Sequence, residues 1–247
     1  MNNLYIDAGN SFFKIGIYNK MNEWIKTLSI KNQNLFNELE QVILETKKTQ
    51  ELNKIWIACV NQALDKTTLT KILTKFSRNI YFFKNDDYPF INSKYQSLQQ
   101  LGVDRWLAIL YPHFQQHKDY LIISCGTAIT LDIVINHEHL GGHIIPGITT
   151  AMTSLKQKAN LKSSLTKYEN IYLPGINTSE CIIQGVLSYT AAYINTMIEN
   201  LNKQSTSEVS LWICGGDAEL IASYLNYDYN LKTDMVLTSL NQIANLP

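Results

Sequence analysis

Apolar residues alternate with polar ones from the start of the chain. Leu4, Tyr5 and Ile6 form a short apolar run that stops at Asp7-Ala8-Gly9-Asn10-Ser11; beyond it Phe13, Ile15 and Ile17 alternate with Lys14 and Gly16. A short apolar run before the glycine and a period of two after it predict two strands joined by a turn. Asn19-Lys20-Met21-Asn22 reads as a second turn and residues 24–30 as a third strand, so the chain is expected to open as an antiparallel meander. The period then changes. Leu35, Leu39, Val42 and Ile43 fall at helical spacing and predict an amphipathic helix from Asn34 to about Lys47. The continuous apolar run over residues 55–60 predicts a strand covered on both faces. Leu69, Ile72, Leu73 and Phe76 predict another helix, and Ile80-Tyr81-Phe82-Phe83 another strand. Residues 85–101 are polar, carry Pro89 and read as a surface loop. Trp106, Leu107, Ile109 and Leu110 then start a helix at Asp104 that runs to about His117.

At Tyr120 the pattern begins again. Leu121-Ile122-Ile123 reads as a strand, Ser124-Cys125-Gly126-Thr127-Ala128 as a glycine turn and residues 129–135 as a second strand. The segment Gly141 to Gly147 closes a further hairpin-like stretch, and a helix is expected from about Ile148. Another helix is expected over residues 181–200, a strand over 209–214, and a helix over 217–224 after Gly215-Gly216. Shifting the second half back by 117 positions lays Gly126 on Gly9, each glycine between two strands. With no short solenoid period visible, one duplication of a whole subdomain is the reading. Meander strands followed by helix, strand, helix and strand predict an α/β fold with a mixed sheet in each half. The boundary falls near residues 117–119, giving lobes of 1–117 and 118–247.

Composition narrows the function classes. The 247 residues are 45% hydrophobic and 17% charged, too apolar for disorder and long enough to bury a core. Lys plus Arg and Asp plus Glu both number 21, so the net charge is zero, and no basic block marks a nucleic-acid footprint. Cys59, Cys125, Cys181 and Cys214 are far apart and read as reduced core thiols of a cytoplasmic protein. His137, His139 and His143 cluster without a nearby Cys or acidic pair, so a loop is expected there rather than a zinc site. The chain starts directly with a strand rather than a secretory leader, and no apolar run approaches a membrane span.

Three stretches carry the candidate chemistry. In the first turn Gly9 lets the backbone approach an anion, flanked by the short polar groups of Asn10 and Ser11. Asp7 is suited to Mg²⁺ beside nucleotide phosphates, and Lys14 to phosphate as a point charge. The alternative is a plain hairpin with a solvated lysine, since Gly and Asn are ordinary turn residues. The second turn repeats the geometry with hydroxyls, and Thr127 is placed to meet a phosphate oxygen. Asp132, in the apolar strand that follows, needs a partner or a function. Between the turns stands Asp104, at a helix start. Taken alone it is better read as a helix cap; flanked by two matched turns, it is read as a base that accepts a proton from a substrate.

Those motifs together resemble the type III pantothenate kinases. The resemblance rests on Asp7-Ala8-Gly9-Asn10-Ser11, Gly102-Val103-Asp104-Arg105, the run Gly126 to Asp132 and the run Gly141 to Gly147, in that order, with Tyr95 seven residues before Gly102. It covers nearly the whole chain and thins after about residue 225. It implies an actin-like ATPase (ribonuclease-H-like) fold of two duplicated lobes, with ATP between them and dimer-forming helices in the second. It implies a cytoplasmic homodimer that phosphorylates the 4′-hydroxyl of pantothenate with ATP, the first step towards coenzyme A. Carried over by motif, the run Asp7, Ala8, Gly9, Asn10, Ser11, Phe12, Phe13 and Lys14 would bind ATP and its Mg²⁺, with Asp7 at the metal and Thr127 contacting ATP from the other lobe. Tyr95, Gly102, Val103, Asp104 and Arg105 would hold pantothenate, Asp104 also as catalytic base. Thr178 would contact pantothenate from the partner subunit or its interface.

The sequence departs from the family at Ser124, where the second turn normally starts with an Asp that helps bind a monovalent cation, K⁺ or NH₄⁺. A hydroxyl in place of a carboxylate predicts weaker or absent potassium dependence, or a cation held by other oxygens. Leu98 also replaces a proline common between Tyr95 and the central motif. Rival readings keep the fold and change the role: another small-molecule kinase or a phosphatase of the actin-like superfamily, or a non-catalytic transcriptional accessory protein. Neither membrane nor nucleic-acid binding is expected.

Overall fold

The computed structural model describes residues 2–19, 24–32, 35–47, 52–159, 170–205 and 208–246. Most of the turn expected at Asn19-Lys20-Met21-Asn22, and the helix start expected at Asn34, lie outside the described residues. The chain divides into two units, one of Met1–Phe90, Gln96–Tyr111 and Met235–Pro247, the other of Ile91–Tyr95 and Pro112–Asp234.

The first unit is built on a five-stranded sheet of β1 (Asn2–Ala8), β2 (Phe12–Tyr18), β3 (Trp24–Lys31), β4 (Leu52–Cys59) and β5 (Ile80–Phe82), in the order β3-β2-β1-β4-β5. The meander β1-β2-β3 is antiparallel, while β4 and β5 join it in parallel. Parallel strands need crossovers, and the helices α1 (Leu35–Lys47) and α2 (Lys66–Leu73) supply them. Asp65 caps α2 by accepting the N–H groups of Thr67 and Thr68. Leu39 and Ile43 of α1 and Leu69 and Leu73 of α2 pack with Ile6, Ile15 and Ile57 into one core. The next helix, α3 (Val103–Phe114), ends a little before His117 because Gln116 takes a left-handed backbone, φ +67°, that a helix does not continue through.

The second unit repeats the plan. Its sheet joins β6 (Asn92–Ser93), β7 (Tyr120–Cys125), β8 (Ala128–Ile135), β9 (Glu138–Pro146), β10 (Ser210–Cys214) and β11 (Asn230–Leu231) in the order β11-β10-β7-β8-β9-β6. Without β6 that order reproduces the first sheet strand for strand, with an antiparallel β7-β8-β9 meander and parallel β10 and β11. The duplication read from the two glycine turns is therefore a duplication of whole sheets. Helices α4 (Ile148–Ala159), α5 (Thr178–Gln204) and α6 (Ala218–Ala222) complete the unit. At 27 residues α5 is long and apolar enough to cross a membrane, a length the apolar runs did not announce. Its Ile183, Val186, Leu187, Ala191, Ile194 and Ile198 instead enter the core of this unit. The last helix, α7 (Met235–Ala244), returns to the first unit and lies against β1 and β4.

Two expectations change. The polar segment 85–101 is not simply a loop, because β6 within it pairs in parallel with β9, Asn92 opposite Glu138 and Ser93 opposite His139. His139 and His143 lie on β9 rather than in a loop, and His139 is fully buried against Asp132.

Candidate active site

Strand register places the first polar cluster. In the β1-β2 hairpin Asp7 sits directly opposite Lys14, and on its other side Asp7 pairs with Ala58 of β4. Cross-strand neighbours of opposite charge attract, so the hairpin itself brings the ammonium to the carboxylate. The turn is closed by the Gly9 N–H donating to the Phe12 carbonyl, 3.1 Å. Asn10, Ser11 and Phe12 are exposed at its tip, whereas Ala8 and Phe13 are sealed in the core and present only their backbone. Asn32, just past β3, fixes the turn's path: its side-chain amide donates to the carbonyls of Gly9 (2.9 Å) and Asn10 (2.8 Å), and its own N–H donates to that of Ser11 (3.2 Å). Sequence reasoning missed Asn32. Its only signal is the meander register, which sets Lys31 opposite Phe12 and so delivers the next residue to the turn.

The central motif lies in the same unit. Asp104 is the second residue of α3, so the cap position falls to Gly102, whose carbonyl receives the Trp106 N–H at 3.0 Å. Asp104 Oδ1 accepts the N–H of Arg105 at 2.8 Å and folds back over Gly102. A Cβ on Gly102 would lie 2.6 Å from that oxygen, so glycine there is what leaves room for the carboxylate. The approach to the helix is anchored by buried Asn85, whose amide donates to the carbonyls of Leu98 (2.8 Å) and Leu101 (2.7 Å). Trp106 holds the other side through its indole N–H to the Tyr88 carbonyl, 3.1 Å. Arg105 is buried.

Asp104 and Asp7 feel each other. Burial pushes the Asp7 carboxyl up to about 7, and the charge of Asp104 raises it further, while Lys14 pulls it down. Two carboxylates and the Lys14 ammonium thus act on one another at this hairpin. Among the described residues no group of three or more His, Cys, Asp or Glu side chains converges to form a metal cage. The Asp7 carboxylate fits Mg²⁺, which keeps waters and takes phosphate oxygens as its other ligands.

In the second unit Ser124 lies near the end of β7 and Thr127 at the exposed tip of the β7-β8 turn. Gly147 presses on that turn. Its N–H donates to the Thr127 carbonyl at 3.0 Å, and a Cβ on it would come within 2.0 Å of the Gly126 carbonyl. Thr150 donates its hydroxyl to the same Thr127 carbonyl, 2.6 Å. Ser124 Oγ lies 3.1 Å from Cys214 Sγ, so the position offers a hydroxyl bonded to a thiol. That does not suit a cation site built on a carboxylate. Burial raises the carboxyl of nearby Asp217, whose N–H donates to the Cys125 carbonyl. Tyr95 follows β6, and Thr178 is exposed at the first turn of α5, where Asn177 caps the helix. The first unit thus gathers Asp7, Lys14, Gly102, Asp104 and Arg105; Tyr95, Ser124, Thr127 and Thr178 stand in the second.

Comparison with known proteins gives the family. Residues 3–200 match the type III pantothenate kinase family. A type III pantothenate kinase of Acinetobacter baumannii (strain ACICU) is 30% identical, over 100% of this chain and 99% of its own length. A Campylobacter jejuni structure described as a candidate Baf family transcriptional activator aligns with TM-score 0.62 and 21% identity, over 97% of this chain and 96% of that one. A ROK family glucokinase from Streptomyces griseus, solved with glucose and AMPPNP, aligns with TM-score 0.53 and 11% identity, over 98% and 99%. The two structures share the fold, an actin-like α/β architecture.

The Asp7 environment yields a stability test. Its folded pKa of about 7 exceeds the ordinary 3.8, so the folded state holds the proton more tightly and ionising Asp7 costs stability as pH rises. Asp7→Asn is expected to raise the melting temperature of the ligand-free protein, by a margin that grows from pH 3.8 to about 7 and is flat above. A margin that is constant across this range, or that shrinks with rising pH, contradicts the assignment.

Proposed function

The chain belongs to the type III pantothenate kinase family, and from that premise we propose that Asp104 is the base of its reaction and that Asp7, the Gly9 turn and Lys14 hold ATP. The reaction is the ATP-dependent phosphorylation of pantothenate. One observation carries the residue assignment: Asp104 sits close enough to Asp7 to raise its carboxyl, while Lys14 stands opposite Asp7 on the next strand. Acid, ammonium and second acid therefore share one small volume.

The chemistry asks little of covalent catalysis and much of placement. The 4′-hydroxyl oxygen of pantothenate forms a bond to the γ-phosphorus, the bond from that phosphorus to the ADP oxygen breaks, and the hydroxyl proton passes to the Asp104 carboxylate. Proton transfer comes late, so an aspartate suffices as base. Lys14 draws off charge from phosphate oxygens. Asp7 would hold the magnesium that accompanies ATP, whose contribution is to neutralise charge on the phosphates. Arg105 pairs with the pantothenate carboxylate, which suits its planar fork. Thr127 meets ATP through its hydroxyl and N–H, while Tyr95 and Thr178 contact pantothenate. The product is the first intermediate towards coenzyme A, made in the cytoplasm; the free thiols of Cys59, Cys125, Cys181 and Cys214 suit a reducing compartment.

The second unit also supports a homodimer. Tyr172 (62% exposed), Leu173 (60%) and Ile176 (91%) lead into α5, whose Tyr189 is also exposed. Exposed apolar side chains in the segment that leads to Thr178 and along α5 are what a subunit contact would cover.

Three measurements test this reading. In a coupled ADP-release assay with ATP and pantothenate, Asp104→Asn is expected to lose at least ~10²-fold in rate, the lower end of what general-base catalysis contributes. A near-normal, folded variant would return Asp104 to a structural role. In potassium-free buffer the wild type is expected to retain activity, because Ser124 replaces the carboxylate; complete loss overturns that. Light scattering is expected to give twice the 28.2 kDa chain mass, and Ile176→Asp to shift it towards the monomer. A monomeric wild type rules the dimer out.

A further inference from the structure

The second unit holds three polar side chains in a line, Asp132, His139 and Ser93, that the reaction described above does not use. Asp132 on β8 is 1% exposed and His139 on β9 is 0% exposed, with Asp132 Oδ1 3.0 Å from His139 Nε2. On the other side of the ring, His139 Nδ1 lies 2.8 Å from Ser93 Oγ on β6. The line ends at Tyr95. Its N–H donates to Ser93 Oγ at 3.1 Å, and its ring stacks on the His139 imidazole with centroids 6.1 Å apart and planes 18° from parallel.

Donors and acceptors match along this line without any proton out of place. With Nε2 protonated and donating to the Asp132 carboxylate, Nδ1 is an acceptor, so Ser93 donates its hydroxyl proton inward. The Ser93 oxygen then accepts the Tyr95 N–H. The order Asp, His, Ser is that of a hydrolase triad, but the role differs. Here the imidazole is sealed from solvent, and the serine oxygen is engaged by a backbone N–H of its own strand segment.

The strand it secures needs help. β6 has two residues and two register pairs with β9, plus the Lys94 N–H to the His139 carbonyl at 2.8 Å. So short a ladder specifies register weakly, and a slip of one residue would turn each side chain to the opposite face. A buried carboxylate is costly unless paired, so Asp132 holds His139 in one orientation, and that orientation admits Ser93 at only one register.

We propose that Asp132, His139 and Ser93 are positioning residues that set the place of Tyr95 and thereby the binding of pantothenate. The inference rests on the reading of Tyr95 as a pantothenate contact. It makes the relay a determinant of the acceptor substrate and not of ATP. Asp132 thus finds the partner that a charge in an apolar strand requires, and the partner passes its order to the substrate segment.

The test is steady-state kinetics with each substrate varied in turn. Ser93→Ala removes the hydroxyl from a half-exposed edge strand; His139→Gln keeps one amide in place of the ring. Each is expected to raise KM for pantothenate roughly five- to tenfold, the worth of one or two net hydrogen bonds. Neither kcat nor KM for ATP should move by more than about twofold, as for a loss of ground-state binding. Ser93→Thr, which restores the hydroxyl, is expected to recover the wild-type KM. Tyr95→Ala is expected to raise KM for pantothenate as well, and adding Ser93→Ala to it should change nothing more. If Tyr95→Ala leaves that KM unmoved, the reading of Tyr95 as a substrate contact fails, and the inference with it. If Tyr95→Ala raises it but Ser93→Ala does not, the relay alone is overturned. The relay is equally overturned if Ser93→Ala acts alike on both substrates or adds its full effect to Tyr95→Ala.

Discussion

Repulsion between two carboxylates, Asp7 and Asp104, is the interaction around which the polar cluster of the first unit is arranged. Burial holds the Asp7 carboxyl up to about 7, with Lys14 pulling it down and the charge of Asp104 pushing it up. A buried carboxyl raised in this way is the kind of perturbed group that clusters at functional sites. Much of the local structure exists to hold that arrangement in place. Register in the β1-β2 hairpin sets Lys14 across from Asp7, and the missing side chain at Gly102 clears the space over which Asp104 folds. Asn85 and Trp106 then fix the segment that leads into α3.

The second unit repeats the sheet and changes the chemistry. Its glycine turn carries hydroxyls where the first carries an acid and an amine, and Gly147 and Thr150 brace it through the Thr127 carbonyl. Ser124, bonded to the Cys214 thiol, takes a quieter place than a carboxylate would. Duplication thus supplies two similar hairpins, and divergence assigns them separate tasks. Charge is handled in one and hydrogen bonding in the other.

Much of the fold could be read along the chain because its elements are long and periodic. The strands on either side of Gly9 and Gly126 read as apolar runs or alternations bounded by the glycine turns, and α1 and α2 carry apolar residues at helical spacing. β6 could not be read. Two residues have no period, and their pairing partner, β9, lies more than forty positions away. Asn32 was equally silent, since a side-chain amide that reaches a turn 22 and 23 residues earlier leaves no local trace. The histidines read as a loop because Glu138 to Pro146 is too polar to show a strand alternation, although β9 pairs along its whole length with β8.

By itself the sequence determined the α/β order, the two glycine turns, the doubling of the subdomain and the family motifs, since all of these are local patterns or spacings. It also marked Asp132 as a charge in need of a partner. Only the tertiary structure decided which partner. Strand pairing within one sheet joined Asp132 to His139, His139 to Ser93 and Ser93 to Tyr95, and packing returned α7 to the first unit. It also moved the question of Asp104. A residue at a helix start is a cap or a base by sequence alone; in the fold, Gly102 takes the cap position, while Asp104 accepts the Arg105 N–H and lies near enough to Asp7 to raise its carboxyl. Such choices depend on groups distant in the chain that share one small volume, and proximity of that kind is set by packing and register rather than by local propensity.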